Sequence, residues 1–168
     1  MPDDFFPEEI VAVLVAHEVQ FVAIGGFAAY LQGSPIPTTD VDVTPHLDSA
    51  NLARLSAALT ELDAKVRAEG VDPLPFSHSA ESLADARVWN LITKYGDLDI
   101  TFEPSGTQGY DDLRRDAIEI ELAGTKILIA SLADIVRSKG AAGRDKDRRA
   151  LPVLRELLAR EKRPRKKR

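Results

Sequence analysis

Two short stretches, TDVDVT at residues 39–44 and GDLDI at residues 96–100, constrain this chain more than anything else in it. Each alternates aspartate with an apolar residue. On a β-strand, residues two apart point to the same face. Asp40 and Asp42 therefore share one face, and Val41 and Val43 point the other way, into a core. Asp97 and Asp99 repeat the pattern around Leu98. A sheet is required with one apolar face and one acidic face. Paired carboxylates repel, and each raises the other's pKa unless a cation neutralises them. If the two strands are neighbours, three or four carboxylates converge. A set of three suits one or two divalent cations of the Mg²⁺ type, which prefer carboxylate oxygens and phosphates. The plainer alternative is two acidic strands with a solvated face.

The surrounding pattern predicts mixed secondary structure. Residues 8–18 read as a helix, with Pro7 in a first-turn position. Residues 20–24 read as a buried strand, broken by Gly25-Gly26. A short helix then runs to Gly33, followed by a proline-rich loop. A long helix is predicted over 48–69, on the stripe Leu52, Leu55, Leu59, Leu62 and Val66, with Gly70 as its stop. Residues 71–77 read as irregular. Strands follow at 88–94 and 97–103 about Tyr95-Gly96, then a short helix near 109–115. Two more strands lie at 117–122 and 125–130. Ser131 and Asp134 suggest a capping box opening a helix through Lys139. A last helix over 145–161 contains Pro152, which implies a kink or a late start. The order predicts an α+β fold: a small mixed β-sheet with flanking helices and a helical C-terminal subregion. The expected division is a core at 1–130, helices at 131–161 packed on it, and a disordered basic tail at 162–168.

Charge is unevenly distributed. Residues 1–136 carry a formal net charge of −15, and residues 137–168 carry +10. An acidic body suits cations, and a basic end suits an anionic partner. The chain has 168 residues and no cysteine. A disulfide scaffold, a cysteine-zinc site and a thiol nucleophile are thereby excluded. No apolar run approaches the length of a membrane span, and MPDDFFPEEI has no cationic stretch of the signal-peptide type. The expectation is a cytoplasmic protein with no membrane partner. His17, His46 and His78 lack metal-ligand spacing, and no serine stands in a G-x-S-x-G setting. His46 is expected in a loop. Trp89, Tyr95 and the phenylalanines are expected in the core, with Phe27 and Tyr30 as candidate exceptions.

Gly25-Gly26 follows a strand and opens a helix. Its backbone can approach a ligand closely, and the helix start offers unpaired N–H groups to a phosphate. A bare tight turn is the alternative. Lys139 continues the inward stripe of Leu132, Ile135 and Val136, where an ammonium needs a partner or must reach water.

The run FVAIGGFAAYLQGSPIPTTDVDV resembles the nucleotidyltransferase superfamily, which shares a DNA polymerase β-like core. With SLADIVRSKGAAGRDKD, it looks most like the AbiEii/AbiGii-type and MenT-like toxin nucleotidyltransferases of toxin–antitoxin systems. The resemblance spans roughly residues 20–150. It implies that Gly25 and Gly26 cradle phosphates and that Asp40 and Asp42 bind Mg²⁺ (or Mn²⁺). It implies Asp99 as the third carboxylate and base, preferred over Asp97. Lys139 is implied at the triphosphate, and Arg144 joins it as a nucleotide-binding candidate. The implied reaction transfers an NMP from an NTP to a hydroxyl, with release of pyrophosphate. The implied acceptor is RNA, a tRNA 3′ end, and a cognate antitoxin is the implied protein partner. A small-molecule (antibiotic) acceptor, a protein acceptor and a catalytically inert nucleotide- or RNA-binding module are the alternatives. Two positions depart from the pattern. Gly26 stands where many members have serine, and Ile36 stands where many have arginine.

Overall fold

The structure is a computed structural model, and it describes residues 4–163. Helix α1 (Pro7–Ala16) precedes β1 (Phe21–Ala23), α2 (Gly25–Leu31), β2 (Asp40–Pro45) and α3 (Ser49–Glu61). Next come β3 (Lys65–Val66), α4 (Ala80–Ala84), β4 (Val88–Thr93) and β5 (Gly96–Thr101). The chain continues through α5 (Tyr110–Arg115), β6 (Ile118–Leu122), β7 (Thr125–Ile129), α6 (Leu132–Ala142) and α7 (Asp145–Glu161). All strands join one seven-stranded mixed sheet in the order β3-β4-β5-β2-β1-β7-β6. The pairs β2/β5 and β1/β7 are parallel, and the others are antiparallel. This is the expected α+β architecture.

The core lies where the alternation placed it. Val41, Val43, Leu91, Leu98 and Ile100 are fully buried from the sheet, and Ile10, Leu14, Leu55 and Leu59 are fully buried from α1 and α3. Each such side chain contributes about 1.5–3 kcal/mol. Both edges are poor templates for further pairing. Strand β3 has only two residues, and β6 exposes Glu119 and Glu121.

The helix expected over 48–69 is corrected. It ends at Glu61, and Asp63 adopts a left-handed conformation with φ of 51°. The chain turns there, so Val66 stands on β3 opposite Leu91 of β4 rather than extending a helical stripe. Leu62 still packs in the core, because the turn falls just after it. At the other end, Asp48 caps α3 by accepting from the Asn51 amide at 3.1 Å. Asn51 is itself fully buried. Its side chain accepts from the Gln20 amide and donates to the Gln20 and His46 carbonyls, tying α3 to the start of β1 and the end of β2.

Helix α4 is capped by Ser79 and had no counterpart in the sequence reading. Helix α6 runs past Lys139 to Ala142, stopped by Gly143 in the left-handed region at φ 62°. Ser131 caps α6 through the Asp134 amide at 3.1 Å. Helix α7 begins at Asp145, so the late start allowed for at Pro152 does not occur. The helix continues through that proline, which leaves the Arg148 carbonyl without its usual donor. Of the tail expected at 162–168, Lys162 and Arg163 follow α7, and residues 164–168 lie outside the described residues.

Phe27 is buried in the core, Trp89 stacks on Phe76, and Tyr30 is exposed. The three histidines are dispersed: His17 faces Glu61, His46 lies against Tyr110, and His78 meets Ser56. Among the described residues, no helix is long and apolar enough to cross a membrane.

Candidate functional site

The parallel pairing of β2 with β5 decides the site. Asp40 stands opposite Asp97 and Asp42 opposite Asp99. Strands paired in this register present all four aspartates on one face, since Val41, Val43, Leu98 and Ile100 fill the other. Asp40, Asp42 and Asp99 each offer an oxygen, and these atoms lie within 4.8 Å of one another. Asp97 is not in that group; its Oδ2 is 3.1 Å from the Arg67 guanidinium.

The electrostatics match crowded carboxylates. Burial, then the charges of Asp40 and Asp99, push Asp42 well above the usual carboxylate range, against Lys139 and Lys146. Asp99 is pushed up to about 7, by burial first and then by its hydrogen bond with Asp40, while Arg67 pulls it down. The cluster therefore needs protons or cations at neutral pH. Its donors are all carboxylate oxygens, a set that suits Mg²⁺ or Mn²⁺ and not a soft metal.

Arg67 is a site residue that the sequence reading missed. It follows β3 directly, and its amide donates to the Asn90 carbonyl at 2.9 Å. Its guanidinium donates to Asp99 Oδ1 at 2.8 Å and to the Leu91 carbonyl at 3.0 Å. The fork spans Asp97 and Asp99 and holds both in place. The missed helix end hid it. The available signal was electrostatic, because four aspartates on two strands call for a cation nearby.

The glycine turn meets the carboxylates directly. Gly25 has φ of 65°, and a Cβ placed there would lie 2.6 Å from Asp42 Oδ2. At Gly26 an added Cβ would meet nothing within 4 Å, so its backbone faces open space. The Ile24 amide donates to the Asp42 carbonyl at 2.9 Å, which locks the turn to β2.

Lys139 and Arg144 approach from α6 and the start of α7. They meet at Asp147, whose side chain is fully buried. Lys139 Nζ is 3.4 Å from Oδ1, and Arg144 Nε donates to Oδ2 at 2.8 Å. Burial alone would raise the Asp147 pKa, but the Arg144 hydrogen bonds and the charges of Arg144 and Lys139 hold it below its usual value. Gly143 reverses the chain between the two helices and so lets both cations reach one carboxylate.

These pieces line a single open cleft of about 800 Å³. Gly25, Gly26, Asp40, Asp42 and Asp99 belong to it, with Lys139, Arg144 and Lys146 on one side and Arg67, Val88 and Asn90 also lining it. Ile36 lines the cleft as well and is partly exposed.

No family model and no curated protein matches the sequence. Solved structures do match the fold. A Thermotoga maritima protein named as a candidate nucleotidyltransferase is 20% identical, with a TM-score of 0.56 over 91% of this chain and 90% of that one. The lincosamide antibiotic adenylyltransferase LnuA, solved with lincomycin, is 14% identical, with a TM-score of 0.58 over 92% and 99%. ANT(2″)-Ia, solved with adenylyl-2″-tobramycin, is 16% identical, with a TM-score of 0.57 over 92% and 88%. The chain has the fold of these nucleotidyltransferases.

Proposed function

We propose that this chain is a metal-dependent nucleotidyltransferase that moves an NMP from an NTP to a hydroxyl acceptor. One observation carries the reading: Asp40, Asp42 and Asp99, the Gly25 turn and the cations Lys139 and Arg144 line the same cleft. The likeness in fold to adenylyltransferases supports it. Asp40, Asp42 and Asp99 would hold Mg²⁺ or Mn²⁺. When bound, a divalent cation supplies neutralisation of the triphosphate charge and acidifies the acceptor hydroxyl.

The protein's own residues do the rest. The backbone at Gly25 and Gly26 cradles phosphate oxygens. Lys139, Arg144 and Lys146 bind the triphosphate and balance the charge that develops on pyrophosphate. The Asp99 carboxylate takes the acceptor's proton. The acceptor oxygen bonds to the α-phosphorus as the bond to the β-phosphate oxygen breaks, and pyrophosphate departs. Positioning and charge neutralisation supply most of the rate in such a reaction. In this reading, residues 1–130 carry the carboxylates and the glycine turn, and residues 131–161 bring the cations.

The acceptor we favour is RNA, a tRNA 3′ end, with the chain acting as the toxin of a cytoplasmic toxin–antitoxin pair. The net charge of +10 over residues 137–168 supports a polyanionic acceptor. A small-molecule acceptor is the second reading, favoured by the fold shared with LnuA and ANT(2″)-Ia over 92% of this chain. The test is incubation with each labelled NTP, Mg²⁺ and total tRNA, with parallel arms containing lincomycin or tobramycin. Label should enter RNA, and Asp42→Ala should abolish it. Label in an antibiotic arm alone would select the second reading. Equal, negligible incorporation by both proteins, with NTP binding intact, would leave an inert binding module.

A further inference from the structure

The cleft opens at one lip onto α7, where Arg144, Lys146 and Ala150 line it. Beyond that lip, Arg148, Arg149, Arg155, Arg160, Lys162 and Arg163 are all exposed. Leu151 and Leu154, both buried, anchor the helix to the body. Residues 148, 155 and 162 are seven apart, two helical turns, and so form one line. The helix has 17 residues and is about 25 Å long.

The cations outweigh their neighbours. Exposed carboxylates on this stretch are Asp145, Glu156 and Glu161, and Glu156 is engaged by Arg160 at 3.2 Å. Asp147 is buried and engaged by Lys139 and Arg144. Among the described residues, Arg148, Arg149 and Arg155 form no ion pair, although most of the body is acidic. One triphosphate reaches only the cations at the lip. A row this long fits a polymer of phosphates.

An anionic membrane would also attract such a row. A membrane-surface helix, however, buries large apolar residues beside its cations. The large exposed apolar side chains among the described residues are Phe6, Tyr30, Ile36, Leu47, Val71, Leu74, Val88 and Ile118, none of them on α7.

We infer that the outer face of α7 is a track for the phosphate backbone of an RNA acceptor, leading its 3′ end past Arg144 at the helix start to the aspartate cluster. This rests on the RNA-acceptor reading of the cleft. It adds the surface that selects a polymer over a small molecule: Arg148, Arg149 and Arg155, with Lys162 continuing the line.

The test uses the full chain and a variant combining Arg148→Gln, Arg149→Gln and Arg155→Gln. Binding of a labelled short single-stranded RNA is measured by anisotropy across a KCl series. Neutral replacements should weaken RNA binding about tenfold at low salt and flatten the log–log salt slope by about 2. Arginine-to-lysine changes at the same positions should keep the slope, which separates charge from folding. NTP binding should be unchanged in both variants. An unchanged slope in the glutamine variant overturns the track. So does pelleting with phosphatidylglycerol vesicles that is lost in the glutamine variant while RNA binding is not. If the salt-dependent RNA binding behaves as expected and no NTP is consumed, the track stands and the transferase reading falls. If RNA is labelled equally well by wild type and glutamine variant, the transferase stands and the track falls.

Discussion

Gly25 and Asp42 occupy each other's limits: a single added carbon on Gly25 would stand 2.6 Å from the Asp42 carboxylate oxygen. The turn and the acidic cluster are therefore one construction, although 16 residues separate them. Its backbone angle of φ 65° also disfavours any side chain.

Gly25→Ala is accordingly expected to cost about 1–3 kcal/mol of stability and to displace Asp42. Mn²⁺ binding should weaken with it. Gly26→Ala meets nothing within 4 Å and should stay within about 0.5 kcal/mol of wild type. Thermal unfolding and Mn²⁺ titration of the two variants provide the comparison. Equal behaviour would separate the turn from the carboxylates.

The metal-free protein should lose stability as pH rises from about 4 towards 7. Asp99 sits at about 7 in the fold, above its unfolded value, so the folded state holds the extra proton in that window. Above about 7 the full penalty of ionising Asp99 is present. Mg²⁺ or Mn²⁺ should consequently raise the melting temperature more at pH 8 than at pH 5. Unfolding curves with EDTA and with Mn²⁺ at the two pH values test this. A larger metal effect at the lower pH would contradict it.

Arg67→Gln removes the charge that holds Asp99 down and leaves Asp97 without its partner. The acidic limb of the pH–rate profile should move to higher pH, and maximal activity should fall at least about tenfold. Arg67→Lys should restore only part of this, because an ammonium lacks the fork that spans two carboxylates. A profile identical to wild type would remove Arg67 from the site.

Asp147→Asn leaves the mostly buried Lys139 and the exposed Arg144 without their shared anion. A loss of about 1–3 kcal/mol is expected, from the hydrogen bonds to a buried partner. The KM for NTP should also rise, because both cations lose their orientation. The contribution of Asp147 is present at neutral pH and should fade as pH falls through its depressed pKa. Urea unfolding at neutral and acidic pH, with NTP kinetics at neutral pH, measures both effects.

Alternation alone was enough to put Asp40 with Asp42 and Asp97 with Asp99, because a two-residue period is a local property of a strand. The glycine turn was legible for the same kind of reason, since a strand, two glycines and an apolar helix follow directly in the chain. The α+β class, the burial of Val41, Val43 and Leu98, and the candidate cations Lys139 and Arg144 were likewise within reach of pattern and resemblance. The end of α3 was not. Leu62 and Val66 both fit the helical stripe, and the left-handed residue that separates them is Asp63, which carries no strong breaking signal.

What the chain could not disclose on its own is which strand lies beside which. Parallel pairing of β2 with β5 joins segments some 57 residues apart and selects Asp99 as the third carboxylate, leaving Asp97 to Arg67. Arg67 enters only because β3 adds to the far side of β4, and Asp147 matters only because Gly143 folds α7 back beside α6. Strand faces and helix stripes follow from neighbours in sequence, where sterics act within a few residues. Register and the meeting of distant charges follow from burying a shared core, a condition that exists only once the whole sheet has formed.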